Sequence, residues 1–336
     1  MLITTQLKLV SRPSGLPNPD NWTIETNPVE DLSAGQVLVR NEYLSIDPAM
    51  RGYLLNRADP DNFVAVGQVM RALGAGQVID SKDRRFQPGD FVAGGANVQT
   101  YGLIPGNDLT KIDPNDLALP VYLGTLGLTG MTAYFGLLKI GQPRRGETVV
   151  ISGASGAVGS VAGQLAKLLN CRTIGITSSD AKCDYVVNTL GFDYCINYRT
   201  TNVRRALKKI CPDGIDVYFD NVGGDILNTA LTHLRTGARI VLSGAISQYN
   251  NESGIMQGPS FYVNLILKNA RMEGFVVLKY MAEFPAAVQQ MKRWIGEGKL
   301  TTDYSIINGG IPAFNDALLK LFNGEKLGKL VLKVNG

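Results

Sequence analysis

Residues 148–169, TVVISGASGAVGSVAGQLAKLL, contain the pattern that decides the fold. An unbroken apolar run at the start predicts a buried strand, and 157–169 carries apolar side chains at helical spacing. The turn between them matches the dinucleotide pattern GxGxxG, with Ala154 at the first glycine. In that pattern the second glycine, Gly156, lets the backbone approach a pyrophosphate, and the third, Gly159, lets the helix pack closely. Strand, turn and helix together predict a dinucleotide site; the alternative is a tight turn in another kind of α/β protein.

Strands and helices alternate along the chain from about residue 125. After the first apolar run, five more segments have the composition of strands: 172–176, 194–197, 215–219, 238–242 and 273–278. A further helix is predicted at 282–297. Six strands separated by helices are typical of a doubly wound parallel sheet, the Rossmann arrangement.

The chain before residue 125 has a different pattern. Short apolar runs such as 36–40 and 90–93 are separated by Gly, Pro, Asn and Asp, which is typical of a β-sandwich or barrel. The tail 300–336 is too short to fold alone, so we expect it to join this β-rich domain. The predicted domains are 125–298, which binds the dinucleotide, and 1–124 together with 299–336.

The composition narrows the function classes. The formal net charge is +4 over 336 residues, and basic residues occur in no run longer than a pair, so nucleic-acid binding is not expected. No stretch approaches the length of a membrane span, and the N-terminus lacks the pattern of a secretion signal. We therefore expect a cytoplasmic protein whose four cysteines are reduced packing residues. They are Cys171, Cys183, Cys195 and Cys211.

Potential metal ligands are scarce. Residues 1–170 contain neither cysteine nor histidine, and the single histidine of the chain, His233, lies in a predicted helical stretch, 225–235. A catalytic zinc ion normally has three protein ligands, and a structural one usually has four. We therefore predict an enzyme without metal, and we interpret His233 as a partly buried helix residue.

The residues after the second predicted strand bear on coenzyme choice. NAD-specific sites usually have an acidic residue about 20 positions after the glycine turn, where it holds the ribose hydroxyls. Here Ser178 and Ser179 occupy that region and Lys182 follows, which favours the extra phosphate of NADP. Asp180 is either a ribose ligand or the N-cap of the next helix, and we favour the cap.

Further motifs distributed over nearly the whole chain identify a family. They are SRPSG (11–15), DPAMRG (47–52), GTLGLTGMTAY (124–134), DNVGG (220–224), SGAISQYN (243–250) and EGFVV (273–277). With these motifs the chain resembles the zinc-independent medium-chain dehydrogenase/reductases, in the branch of NADPH-dependent 2-alkenal, 2-enone and prostaglandin reductases. The resemblance implies an α/β fold in which a Rossmann doubly wound parallel sheet accompanies a GroES-like β-rich catalytic domain.

The resemblance also implies which residues form the site. Tyr249 is implied as the catalytic residue, holding the nicotinamide ribose and helping to deliver a proton. The implied NADP(H)-binding residues are Gly156, Ala157, Val158, Gly159, Lys182, Tyr198, Asn221, Ser243, Gly244, Ala245, Ile246, Ser247, Tyr249, Phe275, Val276, Val277 and Lys326. The chain departs from the family pattern at Ala49, at Leu128-Thr129 and at Lys326, where Tyr, Met-Pro and Asn are usual. A purely structural interpretation is also open for the implied ligands: surface side chains for Tyr198, Tyr249 and Lys182, a turn former for Asn221 and a buried strand for 275–277.

The reaction implied is conjugate reduction, in which NADPH gives hydride to the β-carbon of an α,β-unsaturated ketone or aldehyde. Two alternatives stay open: a quinone reductase of the same fold, and a coenzyme-binding module whose catalysis is vestigial. The predicted partners are a small-molecule substrate and a second copy of the chain. The predicted strand 273–278 would be an apolar sheet edge, which is usually covered, and members of the family often pair there as dimers.

Overall fold

The structure is a computed structural model and describes residues 1–55, 63–251 and 256–334. The chain divides into two compact units. The parallel-sheet unit is Gly124–Asp303, and the β-rich unit combines Met1–Leu123 with Tyr304–Gly336. Within the described ranges, no helix is both long enough and apolar enough to cross a membrane.

The described residues form fifteen strands and ten α-helices. The strands are β1 (Ile3–Leu9), β2 (Trp22–Pro28), β3 (Gln36–Ser45), β4 (Leu73–Ser81), β5 (Phe91–Gly95), β6 (Tyr101–Pro105), β7 (Leu109–Ile112), β8 (Thr148–Ser152), β9 (Arg172–Thr177), β10 (Tyr194–Asn197), β11 (Ile215–Asp220), β12 (Leu234–Leu242), β13 (Arg271–Gly274), β14 (Tyr304–Ile307) and β15 (Lys329–Lys333). The α-helices are α1 (Ala49–Tyr53), α2 (Leu119–Leu123), α3 (Leu128–Phe135), α4 (Ala157–Leu168), α5 (Asp180–Asp184), α6 (Val203–Ile210), α7 (Gly224–Leu231), α8 (Val263–Leu267), α9 (Phe284–Gly296) and α10 (Phe314–Asn323).

The parallel-sheet unit is built on one six-stranded sheet with the order β10-β9-β8-β11-β12-β13. All five neighbouring pairs are parallel. Counted from β8 as the first strand, the order is 3-2-1-4-5-6, which is that of a Rossmann sheet. The predicted fold class is therefore confirmed. The order reverses beside β8, so the glycine-rich turn lies at the switch point where such sheets bind ligands.

Two central strands of this unit are buried on both faces of the sheet, which explains why they could be predicted from their apolar sequences. Residues 149–151 of β8 and 215–220 of β11 are buried on both faces of the sheet, as expected for a parallel sheet covered by helices. Gly163 of α4 lies so close to the ring of Phe192 that an added Cβ would be 1.7 Å from the ring Cζ. Helix α4 therefore packs at this point only because it carries no side chain there.

Three local predictions in this unit need correction. The edge strand β13 ends at Gly274 rather than at residue 278, and a 3₁₀ helix runs over Val277–Glu283. His233 lies in the turn between α7 and β12, where its Nε2 is 2.7 Å from the carbonyl oxygen of Cys211. The segment Gly127-Leu128-Thr129-Gly130 is a helix start rather than a loop, since Gly127 is the N-cap of α3.

The β-rich unit has a seven-stranded sheet and a two-stranded one. The larger has the order β14-β15-β3-β4-β5-β7, with β6 paired to β3, and β1 pairs with β2 in the smaller. The C-terminal strand β15 lies between β14 and β3, so the tail joins the sheet formed by the first part of the chain. Buried side chains of β15 and α10 pack with those of β1 and β3 in one core. The tail is therefore an integral part of this unit.

Candidate functional site

The glycine-rich turn connects β8 to α4 with one residue in the left-handed region. Gly153 has a φ of +60°, which glycine adopts at little cost. The next residue, Ala154, has a negative φ and a fully buried side chain. An alanine at the first glycine position of the motif is accommodated here because the left-handed residue is one position earlier.

The start of α4 lies directly on this turn. A Cβ added to Gly159 would be 2.4 Å from the carbonyl oxygen of Gly153 and 2.9 Å from Cα of Ala154, so no side chain fits at this position. The amides of the first helical turn, among them those of Ala157 and Val158, have no carbonyl partner within a helix. Together with the partial positive charge of the helix N-terminus, they are suited to an anion such as a pyrophosphate.

A pair of cations lies where β9 and β10 end. Lys182 Nζ donates to Ser178 Oγ at 3.1 Å. Burial lowers the pKa of Lys182, and the nearby positive charge of Arg199 lowers it further. Tyr198, which directly precedes Arg199, donates its backbone amide to the carbonyl of Thr177 at 3.0 Å and keeps 40% of its surface exposed. An anion bound beside Lys182 and Arg199 would relieve their repulsion, and these residues therefore fit the 2′-phosphate of NADP.

Arg199 was missed by the sequence analysis, and the assignment of Asp180 was wrong. The N-cap of α5 is Ser179, whose Oγ accepts from the backbone amide of Lys182 at 3.3 Å. Asp180 is the first residue of the helix, and its carboxylate accepts from Asn197 Nδ2 at 2.8 Å. Serine and aspartate are equally good N-cap residues, so the sequence alone did not show whether Ser179 or Asp180 caps the helix. The signal for Arg199 was its position directly after Tyr198.

Asn221 is fixed against the end of β8. Its backbone amide donates to Ser152 Oγ, and its side-chain Nδ2 donates to the Ser152 carbonyl, both at 2.8 Å. The neighbouring Asp220 is almost fully buried and accepts from Ser152 Oγ, Tyr218 OH and the amide of Gly223. Burial raises the pKa of Asp220, and these donors oppose the rise. This network orients the turn that carries Asn221 beside the glycine-rich turn.

The segment 243–249 is hydrogen-bonded onto that same turn. The amides of Ser243 and Gly244 donate to the carbonyl of Asp220 at 2.8 and 3.1 Å. The amide of Ile246 donates to the Asn221 carbonyl at 3.3 Å, and the hydroxyl of Ser247 donates to the carbonyl of Val222 at 2.6 Å. The structure thus brings this predicted segment and Asn221 together at the carboxyl ends of β8, β11 and β12.

Tyr249 folds back over this segment. Its hydroxyl oxygen accepts from the backbone amide of Ala245 at 3.0 Å, and a Cβ added to Gly244 would lie 3.2 Å from the same oxygen. The ring is half-buried. A hydroxyl that accepts one hydrogen bond still has its own proton to donate, so Tyr249 can act as a donor to a ligand.

The segment 275–277 leaves the sheet at its edge. Phe275 packs against Gly136, where an added Cβ would be 2.6 Å from the ring Cζ. Val276 is 67% exposed and Val277 is buried. The apolar character that suggested a continuing strand therefore comes from a ring anchored on Gly136 and from the first residue of a 3₁₀ helix.

Lys326 lies in the β-rich unit, whereas the other predicted coenzyme residues lie in the parallel-sheet unit. It is in the connection between α10 and β15, and its Nζ donates to the carbonyl of Gly328 at 3.4 Å. The motif 47–52 belongs to the same unit. There the carboxylate of Asp47 forms an ion pair with the fully buried Lys329, which also donates to the Ile46 carbonyl at 3.3 Å.

Arg51, in the same motif, is buried without matching acceptors. Only 2% of its surface is exposed, and among the described atoms neither Nε nor Nη1 has a hydrogen-bond partner. Burial lowers the pKa of Arg51. A buried cation is costly unless it is paired, and its place in the motif was the only sequence signal for this residue.

No metal site was found among the described residues: no group of three or more His, Cys, Asp or Glu side chains is placed to hold an ion. The four cysteines are free, with Cys171 and Cys211 buried and Cys183 and Cys195 half-buried.

Comparison with known proteins identifies the family. A model described as the N-terminal domain of oxidoreductase matches residues 5–112, and one described as zinc-binding dehydrogenase matches residues 157–293. The NADPH-dependent curcumin reductase of Escherichia coli (strain K12) is 36% identical over 332 residues, which are 98% of this chain and 96% of that protein. The chain belongs to the medium-chain dehydrogenase/reductase family.

Further similarities place it within that family. The NADP(+)-dependent 2-alkenal reductase of Nicotiana tabacum is 39% identical over 306 residues, which are 90% of this chain and 88% of that protein. The crystal structure of CurA from Vibrio vulnificus in complex with NADPH superimposes with a TM-score of 0.92, at 35% identity and over 99% of both chains. The resemblance to the alkenal and enone reductase branch that the motifs indicated is confirmed. The relatives in this comparison are named curcumin reductase, 2-alkenal reductase and prostaglandin reductase.

Proposed function

We propose that this protein reduces the carbon–carbon double bond of α,β-unsaturated ketones and aldehydes with NADPH. The choice of NADPH as coenzyme rests on the proximity of Lys182 and Arg199, with the exposed Tyr198 next to Arg199 in the chain, after the glycine-rich turn. An NAD site would have an acidic side chain in this region. Instead, the nearby Asp180 is hydrogen-bonded to Asn197. The relatives named as curcumin and 2-alkenal reductases support the substrate class.

Four sets of residues would hold the coenzyme. The amides from Ala157 to Gly159, next to the side-chain-free Gly156, would bind the pyrophosphate, since the Gly156 amide itself donates to the Gly153 carbonyl; the Lys182 cluster would bind the 2′-phosphate. Asn221 and the segment 243–249 would lie along the nicotinamide half, because they meet at the carboxyl edge of the sheet where ligands of this fold bind. We include 275–277 and Lys326 in the proposed site on the strength of the family resemblance.

NADPH, when bound, supplies hydride to the β-carbon of the substrate. The chain's own contribution is to stabilise the negative charge that develops on the carbonyl oxygen and to deliver a proton to the α-carbon. We assign both roles to the Tyr249 hydroxyl, since the Ala245 amide orients its oxygen and leaves its proton available. Oriented donors of this kind contribute about 3–4 kcal/mol to transition-state stabilisation.

Replacing Tyr249 by Phe tests that assignment. In the variant kcat should fall roughly a hundredfold and the KM for NADPH should rise much less, because the lost donor contributes mainly to the transition state and only one of several coenzyme contacts is removed. Tyr194→Phe is the matched control, since Tyr194 is exposed at the start of β10 and should leave kcat unchanged. If Tyr249→Phe has wild-type kcat across the pH range, Tyr249 does not take part in catalysis.

The reaction itself is tested by following NADPH absorbance with a panel of alkenals, chalcone-like enones and quinones, and by identifying the products by mass spectrometry. We expect the saturated ketone or aldehyde from the first two classes, and a higher kcat/KM with NADPH than with NADH. Turnover restricted to quinones would support a quinone reductase instead. Tight NADPH binding without turnover of any compound would indicate a coenzyme-binding module.

We also propose that the protein is a homodimer that works in the cytoplasm. The sheet edge at β13 is flanked by apolar side chains with large exposed fractions: 73% for Ile266, 71% for Leu267 and 67% for Val276. Such an edge is a ready template for pairing with a second chain. Cysteines stay reduced in compartments such as the cytoplasm, and the four cysteines of this chain are free.

A further inference from the structure

Two thiols converge on one hydroxyl beside the cationic cluster. Cys183 Sγ and Cys195 Sγ lie 3.3 and 3.6 Å from the same atom, Thr177 Oγ1. Cys183 is in α5 and Cys195 is in β10, so the two sulfur atoms come from different elements packed against the end of β9. Two thiols within hydrogen-bonding distance of one hydroxyl are close neighbours in the fold.

Both thiols are also accessible. They line one open pocket of about 350 Å³, together with Asp180 and Asp184 among other residues. Cys183 and Cys195 are half-buried, whereas the remaining two cysteines, Cys171 and Cys211, are buried. A small reagent entering the pocket would therefore meet these two sulfur atoms rather than the others.

The two sulfur atoms differ in their surroundings. Burial raises the pKa of the Cys195 thiol well above its ordinary value, and its hydrogen bond with Cys183 adds to the effect. A thiol held in its protonated form is a poor nucleophile. The first attack on an oxidant would therefore fall to Cys183, and Cys195 would act as the resolving partner.

The thiol pair is directly linked to the residues that would bind the 2′-phosphate. Cys183 follows Lys182 in α5, and β10 continues from Cys195 to Tyr198 and Arg199. Helix α5 is only five residues long and is capped by the single side chain of Ser179. Because Lys182 and Cys183 are adjacent in this short helix, a new bond at Cys183 would move Lys182 with it.

We propose that Cys183 and Cys195 form a reversible disulfide on exposure to a hydroperoxide, and that this disulfide weakens NADPH binding by displacing Lys182. The part of this inference that concerns NADPH rests on the proposed function; the disulfide itself does not. A disulfide needs its sulfur atoms about 2.05 Å apart. Because the two thiols are now in hydrogen-bonding contact with each other rather than bonded, α5 and β10 must approach each other slightly when it forms.

The chemistry is a two-step oxidation. Cys183 sulfur attacks the hydroperoxide, its O–O bond breaks, an alcohol (water, for hydrogen peroxide) leaves, and Cys183 becomes a sulfenic acid. Cys195 sulfur then attacks Cys183 sulfur, the S–O bond breaks, the S–S bond forms and water leaves. In sum, two thiols lose two hydrogen atoms, and the hydroperoxide is reduced by two electrons. A dithiol reagent reverses the oxidation by exchange.

Peptide mapping of the purified protein, free of coenzyme and treated with hydrogen peroxide, tests the disulfide. We expect one peptide pair joined through Cys183 and Cys195, a protein mass lower by two hydrogens, and recovery with dithiothreitol. Cys195→Ser should instead accumulate a Cys183 sulfenic acid that dimedone captures, and Cys171→Ser should behave as the wild type. The inference is overturned if Cys183 and Cys195 remain reduced, or if the cross-link forms equally through the other cysteines.

Fluorescence titration with each coenzyme tests the consequence. We expect oxidation to raise the Kd for NADPH roughly tenfold and to leave the Kd for NADH unchanged, because only NADPH has the phosphate that the displaced lysine would bind. Cys183→Ser should show no change on peroxide treatment. A disulfide that forms without altering NADPH affinity would overturn the coupling. A reduced protein that binds no NADPH would count against the proposed function, while the peptide map would still decide whether the disulfide forms.

Discussion

Two cations, Lys182 and Arg199, determine the proposed coenzyme preference at the scale of single residues. Bringing them together has a cost, since each disfavours the charge of the other and burial lowers the pKa of Lys182. A protein tolerates such an arrangement where a ligand compensates for it. Perturbed ionisable groups of this kind are concentrated at functional sites.

Lys182→Gln should therefore separate the two coenzymes. The variant loses a charge-assisted hydrogen bond to the 2′-phosphate, so its KM for NADPH should rise roughly ten- to a hundredfold. Its KM for NADH should stay within twofold, because NADH has no phosphate there. Lys209→Gln, which removes an exposed lysine from α6, serves as the control. Equal changes in both KM values would mean that Lys182 does not contact the 2′-phosphate.

The sequence predicted this site only in part. The turn, Lys182 and Tyr198 could be identified because a motif or a family pattern marks each of them. Arg199 was marked only by its position after Tyr198, because it is the packing of β10 beside α5 that brings it near Lys182. The lack of a hydrogen-bond partner at Nε and Nη1 of Arg51 among the described atoms could not be predicted, since burial and hydrogen-bond partners depend on the folded chain.

Helix α4 shows how glycine placement controls packing at the scale of an element. Gly163 faces the ring of Phe192 at a distance that excludes any side chain, whereas Gly296, at the end of α9, has no atom within 4 Å of an added Cβ. Both glycines are helical and have negative φ. They therefore form a matched pair in which only the space around them differs.

Gly163→Ala should lower the free energy of unfolding by about 1–3 kcal/mol, because the methyl group forces Phe192 or the helix to shift. Gly296→Ala should raise it by up to about 1 kcal/mol, because alanine is the better helix former. Urea denaturation monitored by circular dichroism measures both. If the two variants unfold at the same urea concentration, the close approach of Gly163 to Phe192 does not determine which side chain the helix tolerates there.

Elements with long buried runs were predicted well and those with mixed patterns were not. Strands β8 and β11 contain only buried positions over most of their length, so their apolar runs were unambiguous. The pairing of β1 with β2 was not predicted, because the long connection 10–21, although rich in turn residues, does not show which strands it brings together. The strand predicted at 273–278 was too long, because an apolar run does not show at which residue the strand ends.

At the scale of the whole molecule, the exposed apolar edge at β13 predicts the oligomeric state. Light scattering should give twice the 36.3 kDa mass of the chain. Ile266→Lys, which places a charge in that apolar surface, should shift the protein towards the monomer mass. Val66→Lys is the control, because Val66 is 56% exposed in the β-rich unit, away in sequence from this edge. A wild-type protein that elutes and scatters as a monomer at micromolar concentration would remove the dimer proposal.

The position of β15 between β14 and β3 has a consequence for biosynthesis. As the ribosome extends the chain, Gly124–Asp303 has all of its strands once residue 303 has emerged, so it can fold as an uninterrupted stretch. The β-rich unit begins earlier in the sequence but lacks β15, α10 and the partner of Asp47 until translation is nearly complete. A ribosome stalled when residue 303 has just emerged would therefore hold a folded parallel-sheet unit and an unfinished β-rich unit. The first residues to be made are among the last to reach their native contacts.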